Sequence, residues 1–312
     1  MNTVRDHTQF YAQHYNVAAH WLLRPDSRIT LGNKENRVCR FCGRAQSEVP
    51  FQIDAHALPE SVGNKGLLTY YECDPCNRAF GQGCENDFGN WTLPMRTFAR
   101  VNGKNGIPSI KQGPSNAWRV DQHPTGLAIN VEETEGFFED DPIAKTLTFR
   151  LKRPGYRPAK VAQAFFKMAL SVMPEAELPN FRLLLDWMNP NAVQKMAAPT
   201  PVLHTFVGGA WEKDLVRVAL LTRMADEAAL PYCFFILGFG NELFQVAIPS
   251  TERDSQLYGS KLTIPVFPFC NNEDAVSTSR VRSLILDTDD LVRDDVVEIG
   301  LSYGNRLDRT PE

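Results

Sequence analysis

Apolar residues recur at two different spacings along this chain, and the spacing assigns its elements. Across residues 158–173, Val161, Phe165, Met168, Ala169 and Val172 fall three or four residues apart, the period of one helix face. Pro174 ends that helix, since its ring cannot continue the turn, and a second short helix is predicted near Ala176 or after Pro179. Farther along, the pattern changes to β-branched and aromatic runs. Residues 201–209, 216–223, 232–240, 243–250 and 261–269 read as strands, with a hairpin turn predicted at Gly240-Asn241. Residues 127–134 and 146–153 alternate like half-buried strands, with an acidic loop, 135–142, between them. Residues 101–116 are dense in Gly, Pro, Asn and Ser and read as loop or hairpin. At the N-terminus, Phe10, Tyr11, Tyr15, Trp21, Leu22 and Leu23 have partly helical spacing and precede a turn-rich stretch, 24–37, which predicts a lead-in helix and loop. The segment from Asp287 onward reads as acidic and fraying into a polar tail, and no internal repeat is present. The pattern predicts an α+β protein with an antiparallel sheet in its C-terminal two-thirds.

Composition sets bounds on this reading. At 312 residues and 43% hydrophobic content the chain can bury a substantial core and is long enough for two domains, and a charged fraction of 22% excludes wholesale disorder. No apolar run approaches the roughly 18 residues of a membrane span. The opening MNTVRDHTQF lacks the basic-then-apolar layout of a secretory leader. A soluble, cytoplasmic protein without a membrane partner is expected. The net charge is −4, which argues against a generic basic nucleic-acid binder. It divides unevenly: residues 1–122 hold 14 Lys+Arg against 11 Asp+Glu, and the remainder 19 against 26. Nucleic-acid contact is therefore expected in the first part.

The cysteines supply the candidate chemistry. Five of seven (Cys39, Cys42, Cys73, Cys76 and Cys84) lie close in sequence, whereas Cys233 and Cys270 stand apart. An odd count without a leader is a poor disulfide framework. Cys39/Cys42 and Cys73/Cys76 form two C-x-x-C pairs, each able to direct two thiolates at one point, and together they predict one structural zinc in a tetrahedral site. Redox-active dithiols are the rival use of such pairs. Four thiolates leave no open position, so this zinc would staple the fold. Cys84 reads as an apolar filler that could compete for the metal. Between the pairs lies a predicted strand carrying His56 and then a turn at Gly63-Asn64. Asn77 directly follows the second pair and opens a predicted helix, 77–87.

Three pieces of this segment form an ordered signature: Cys39-Arg40-Phe41-Cys42-Gly43, then Ala55-His56-Ala57-Leu58-Pro59-Glu60-Ser61-Val62-Gly63-Asn64-Lys65, then Glu72-Cys73-Asp74-Pro75-Cys76-Asn77-Arg78-Ala79-Phe80-Gly81. The arrangement resembles the HNH, or ββα-metal, endonuclease superfamily, most closely its zinc-stapled bacterial branch. The resemblance covers about 55 residues. It implies a small zinc-bound ββα-metal nuclease domain at 38–92, preceded by the lead-in 1–37. A larger α+β sensing or oligomerisation domain would follow at 93–312, with the boundary between 92 and 125. It further implies divalent-metal-dependent hydrolysis of DNA phosphodiester bonds, double-stranded DNA being the expected partner. His56 would be the general base, and Asn77 would bind one catalytic Mg²⁺ or Mn²⁺ through its side-chain carbonyl.

The sequence departs from the family pattern in two places. Ala55 stands where many members carry a metal-binding aspartate, so the second ligand is open. Asp54 lies two residues from His56 on the same strand face. Glu85 shares a helix face with Asn77 and Gly81 at four-residue spacing. Asp87 and Glu60 are weaker choices. The middle Asn, which usually braces the loop bearing the His, has no clear counterpart, because Tyr70 or Tyr71 sits there. By fold-level analogy the C-terminal part could bind a small-molecule or nucleotide activator, or form a homodimer or higher oligomer, as in some anti-phage defence effectors.

Competing readings remain for each residue. The chain could be a non-catalytic zinc-binding module that recognises nucleic acid or protein with a decayed nuclease site, or a thiol redox protein. Asn77 could simply cap its helix. His7, His14, His20, His123 and His204 lack partner motifs and read as structural or surface residues. Arg40, Arg44, Lys65, Arg78, Arg96, Arg100, Lys104 and Lys111 surround the site in sequence, and some could contact phosphates.

Overall fold

Strands rich in aromatic and β-branched residues dominate the C-terminal half, and they assemble as the pattern predicts. The computed structural model describes residues 4–113, 118–123, 126–131, 138–192, 200–208, 212, 214–226, 229–257, 259–268 and 279–304. Strands β1 (Tyr15–Leu23), β10 (Pro201–Phe206), β11 (Val216–Arg223), β12 (Cys233–Phe239), β13 (Glu242–Ile248) and β14 (Arg280–Ile285) form a six-stranded antiparallel sheet in the order β1-β11-β12-β13-β10-β14. All seven residues of β12 are buried, as expected of a central strand covered on both faces. β12 and β13 meet in a two-residue turn, Phe239 opposite Glu242, with Gly240 at φ +53. A side chain at Gly240 would also press within 2.5 Å of Ala99 Cβ, so this turn needs glycine for two reasons.

The helices cover one face of that sheet. α3 (Cys84–Phe98) and α4 (Pro158–Val172) pack against it through an aromatic cluster. Phe165 lies 5.3 Å from Phe88, 6.2 Å from Trp91 and 5.4 Å from Phe244 between ring centroids. α4 ends one residue short of the Met173-Pro174 step, and a 3-10 turn (Glu175–Phe181) and α5 (Arg182–Met188) follow, as the proline positions predict. The same apolar core runs without a break from the cysteine segment through both helices to β11, β12 and β13. On the opposite face, α1 (Val4–His14) and residues 261–268 cover Leu221, Phe234 and Ile236.

Four expectations are corrected. The lead-in helix is present as α1, but it ends at His14, and residues 15–23 form a strand, β1, paired with β11 across a bulge near Ala18 and so part of the main sheet. Residues 261–268 form no strand. Pro265 and Pro268 remove ladder donors, and the segment is held instead by side chains, Tyr11 donating to the Pro265 carbonyl and Phe267 N–H to Gln245. The acidic stretch 135–142 contains strand β8 (Phe138–Asp141), and the C-terminal acidic stretch contains β15 (Val296–Ser302); residues 132–137 and Cys270 lie outside the described residues. β15 and β8 flank β9 (Thr146–Lys152). This sheet shares a small core around Phe149 and Leu151 with a second one, formed by β5 (Ile110–Gln112), β6 (Trp118–His123) and β7 (Gly126–Val131).

Phe165 is fully buried at the centre of the aromatic cluster. Replacement by Ala should cost about 3–5 kcal/mol. Urea unfolding checks this, with the half-exposed Phe206→Ala as the low-cost control.

Candidate functional site

Two turns and a helix end bring four sulfurs together. In the first turn the Gly43 N–H donates to the Cys39 carbonyl and the Cys39 N–H to the Arg44 carbonyl, both at 2.8 Å, with Gly43 at φ +71. In the second, Cys73 is the N-cap of α2 (Asp74–Gln82) and Cys76 lies in its first turn, so the positive end of the helix dipole faces the thiolates. The Sγ atoms of Cys39, Cys42, Cys73 and Cys76 all lie within 4.8 Å of one another, and Cys42 and Cys73 are 3.7 Å apart. A tetrahedron with metal–sulfur arms of about 2.3 Å has edges of about 3.8 Å, so the cluster fits zinc. All four cysteines are free of disulfides. Hydrogen bonding from Cys76 holds the Cys39 thiol well below its ordinary range, while burial pushes Cys73 upward. Cys84 is buried with its sulfur toward the Phe80 carbonyl and is not among the four.

His56 sits beside this cluster on a minimal hairpin. β3 (Ala55–His56) runs antiparallel to β4 (Leu67–Thr69), with His56 opposite Leu68, and β4 runs parallel to β2 (Ile29–Leu31). Asp74 anchors the approach to β3 by accepting from the Gln52 and Ile53 N–H groups at 3.1 and 3.0 Å. The loop between the strands is braced by Asn64, which is fully buried. Its amide donates to the Leu58 and Leu67 carbonyls at 2.8 and 3.1 Å and accepts from the Gly66 and Leu67 N–H groups at 3.2 and 2.8 Å. Asn64 thus fixes the loop that follows His56, a job that the sequence, with Tyr70 or Tyr71 in place of the family's middle Asn, leaves without a clear holder. His56 itself is half-buried. Burial lowers its pKa, Lys167 and Lys104 lower it further, and Glu60 and Glu85 oppose them.

Lys167, from the middle of α4, reaches into the same place. Its ammonium has no exposure and faces three acceptors: the His56 carbonyl at 3.0 Å, Glu72 Oε2 at 3.0 Å and Glu85 Oε1 at 2.9 Å. One carbonyl accepts a hydrogen bond and two carboxylates supply opposite charge. The Glu72 contact is an ion pair rather than a well-aligned hydrogen bond, and burial pushes that carboxyl up to about 7. A second bond between α4 and the cysteine segment runs the other way. Arg40 stacks on Tyr71, 3.7 Å from the ring centroid, and donates to the carbonyls of Leu170 and Met173 at the end of α4. Sequence reasoning missed Lys167, although a lone charge inside the apolar run Phe165–Leu170 is a signal that could have found it.

The other candidate ligands divide. Asn77 lies inside α2, its N–H bonded to the Cys73 carbonyl at 2.9 Å, so it does not cap the helix; Cys73 holds that position. Glu85 is not on the helix of Asn77. The chain breaks at Gly83, φ −104 and ψ −108, and Glu85 belongs to the first turn of α3, so the expected Asn77–Gly81–Glu85 face does not exist. It nevertheless lies close enough to His56 to act on its charge, as does Glu60 in the 3-10 turn Glu60–Val62. Asp87 is buried and accepts from the Arg157 N–H at 2.6 Å, fixing the start of α4. Asp54 is exposed and precedes β3. Among the described residues, the four cysteines are the one group of three or more His, Cys, Asp or Glu side chains that converge on a point. His204 is structural: it stacks on Phe244 and pairs with Glu242. No helix among the described residues is long and apolar enough to cross a membrane. Comparison of the chain with protein-family models, curated proteins and solved structures finds no match.

Purified protein should contain about one zinc per chain by elemental analysis. Cys73→Ser should lose it and unfold at lower urea; full stability without metal would refute the stapling role. Lys167→Met leaves the buried Glu72 and the part-buried Glu85 without their cation and should cost about 3–5 kcal/mol by the same unfolding measurement.

Proposed function

We propose that the chain is a divalent-metal-dependent endonuclease that hydrolyses DNA phosphodiester bonds at His56. The observation that carries this reading is the placement of His56: a half-buried imidazole on a two-stranded hairpin, fixed by Asn64 and followed directly by a cysteine-stapled helix bearing Asn77. Burial keeps the imidazole neutral near pH 7, the state that can accept a proton from water. Asn77 through its carboxamide oxygen, with Glu85 or Glu60, offers the oxygen donors that Mg²⁺ or Mn²⁺ prefers. Such an ion supplies stabilisation of the charge that develops on the phosphate and on the leaving 3′ oxygen. His56 takes the proton of the attacking water, and the Lys167 bond to its carbonyl holds the strand against α4 while it does so. Because α4 also packs on the large sheet, a ligand or partner bound to that sheet has a mechanical route to the site.

A second reading has its own support. Ala55 offers no ligand, Asp87 is committed to the Arg157 N–H and one Glu85 oxygen is committed to Lys167. A non-catalytic zinc module that binds nucleic acid or protein would tolerate all three.

Plasmid nicking separates the two. Zinc-loaded wild-type protein with Mg²⁺ or Mn²⁺ should cut, EDTA should stop it, and His56→Ala with its zinc retained should lose at least about 10²-fold in rate. Equal activity of the variant, or no cutting by the wild type across a panel of nucleotide activators, would favour the second reading.

A further inference from the structure

Among the basic residues around the site, four are held by specific partners. Arg40 caps α4, Arg96 bonds the Gly89 carbonyl and Thr92, Arg100 bonds Gln122, and Lys65 bonds the Gly103 carbonyl. Lys104 differs. It is exposed, it makes no ion pair among the described residues, and its charge still reaches His56.

The backbone explains why it stands there. After α3 the chain turns at Arg100, which adopts φ +56, an uncommon conformation for a residue with a side chain. Val101 is buried beneath the Gly63 and Gly240 turns. Gly103 and Gly106 then pair with each other at 3.0 and 3.3 Å, leaving Lys104 and Asn105 as a two-residue tip. Gly103 is buried against the loop that follows His56: a Cβ there would meet Ser61 Cα at 3.4 Å and the Glu60 carbonyl oxygen at 3.5 Å. The Lys65 bond to Gly103 ties the tip to that loop a second time. The hairpin is thus anchored at Gly103 to the loop that follows His56, and its one cation is presented next to that loop.

We propose that the Lys104-Asn105 tip is a phosphate-binding arm, gripping a backbone phosphate of the nucleic acid whose neighbouring phosphodiester lies at His56. The inference rests on the nuclease reading and specifies how the substrate is held. Lys104 still loses side-chain rotamer freedom on contact, but its backbone is already ordered, so no loop-ordering cost is added. Lys104 supplies charge and Asn105 an amide donor, groups suited to phosphate oxygens and blind to base sequence. Cleavage should accordingly lose substrate affinity, not sequence preference, when the tip is changed.

The test is fluorescence anisotropy of a labelled DNA duplex with the zinc-loaded, full-length His56→Ala chain, titrated from about 50 to about 200 mM salt. Adding Lys104→Gln should weaken binding on the order of tenfold at the low end and make the salt dependence shallower by about one ion released. Lys104→Arg should restore both. In the cleavage-competent chain, Lys104→Gln should raise KM with kcat little changed. Duplex binding with an unaltered salt slope in Lys104→Gln would overturn the arm while leaving the nuclease standing. Absence of both duplex binding and cutting by the wild type would overturn the nuclease reading and the arm with it.

Discussion

An ammonium group sealed from water persists only where acceptors surround it, and Lys167 is the point on which this molecule closes. Its three partners come from three stretches of chain: β3, the residue before the second cysteine pair, and the first turn of α3. None of these is near it in sequence. Desolvating the lysine is costly, and the mutual attraction of one cation and two carboxylates offsets that cost only while all three stay in place. The arrangement therefore specifies a position more than it adds stability. α4 can dock in one register only, with Phe165 in the aromatic cluster and its last carbonyls against Arg40.

The cysteine segment contributes rigidity of another kind. Two turns, a helix N-terminus and Asn64 hold the segment around His56 through local hydrogen bonds. α4 joins the two regimes, because it touches the His56 carbonyl on one side and packs against β13 on the other. One continuous core links the cysteine segment to the large sheet. The N-terminal strand β1 completes the large sheet, and α3 runs past residue 92 to Phe98, within the range 92–125 expected for the boundary.

What the sequence determined by itself is local. Periodicity located α4 and the strands β10 to β13, because each carries its own repeat of 3.6 or 2 residues over a long enough stretch to be unambiguous. Spacing located the four sulfurs, since a C-x-x-C turn fixes its geometry within four residues. The α+β class followed from the same signals. The tertiary structure alone decided the rest. β1 has the composition of a partly helical segment and becomes a strand because β11 offers it an edge. Residues 261–268 have strand composition and do not pair, because their prolines lack donors and side chains hold them instead. Glu85 left the helix of Asn77 at a glycine whose backbone angles no spacing rule reveals. Lys167 found its carboxylates, and Lys104 its place beside His56, through contacts between residues far apart in the chain. Such contacts leave no periodic trace, for they are selected by the shape of the folded core rather than by any neighbour along the sequence.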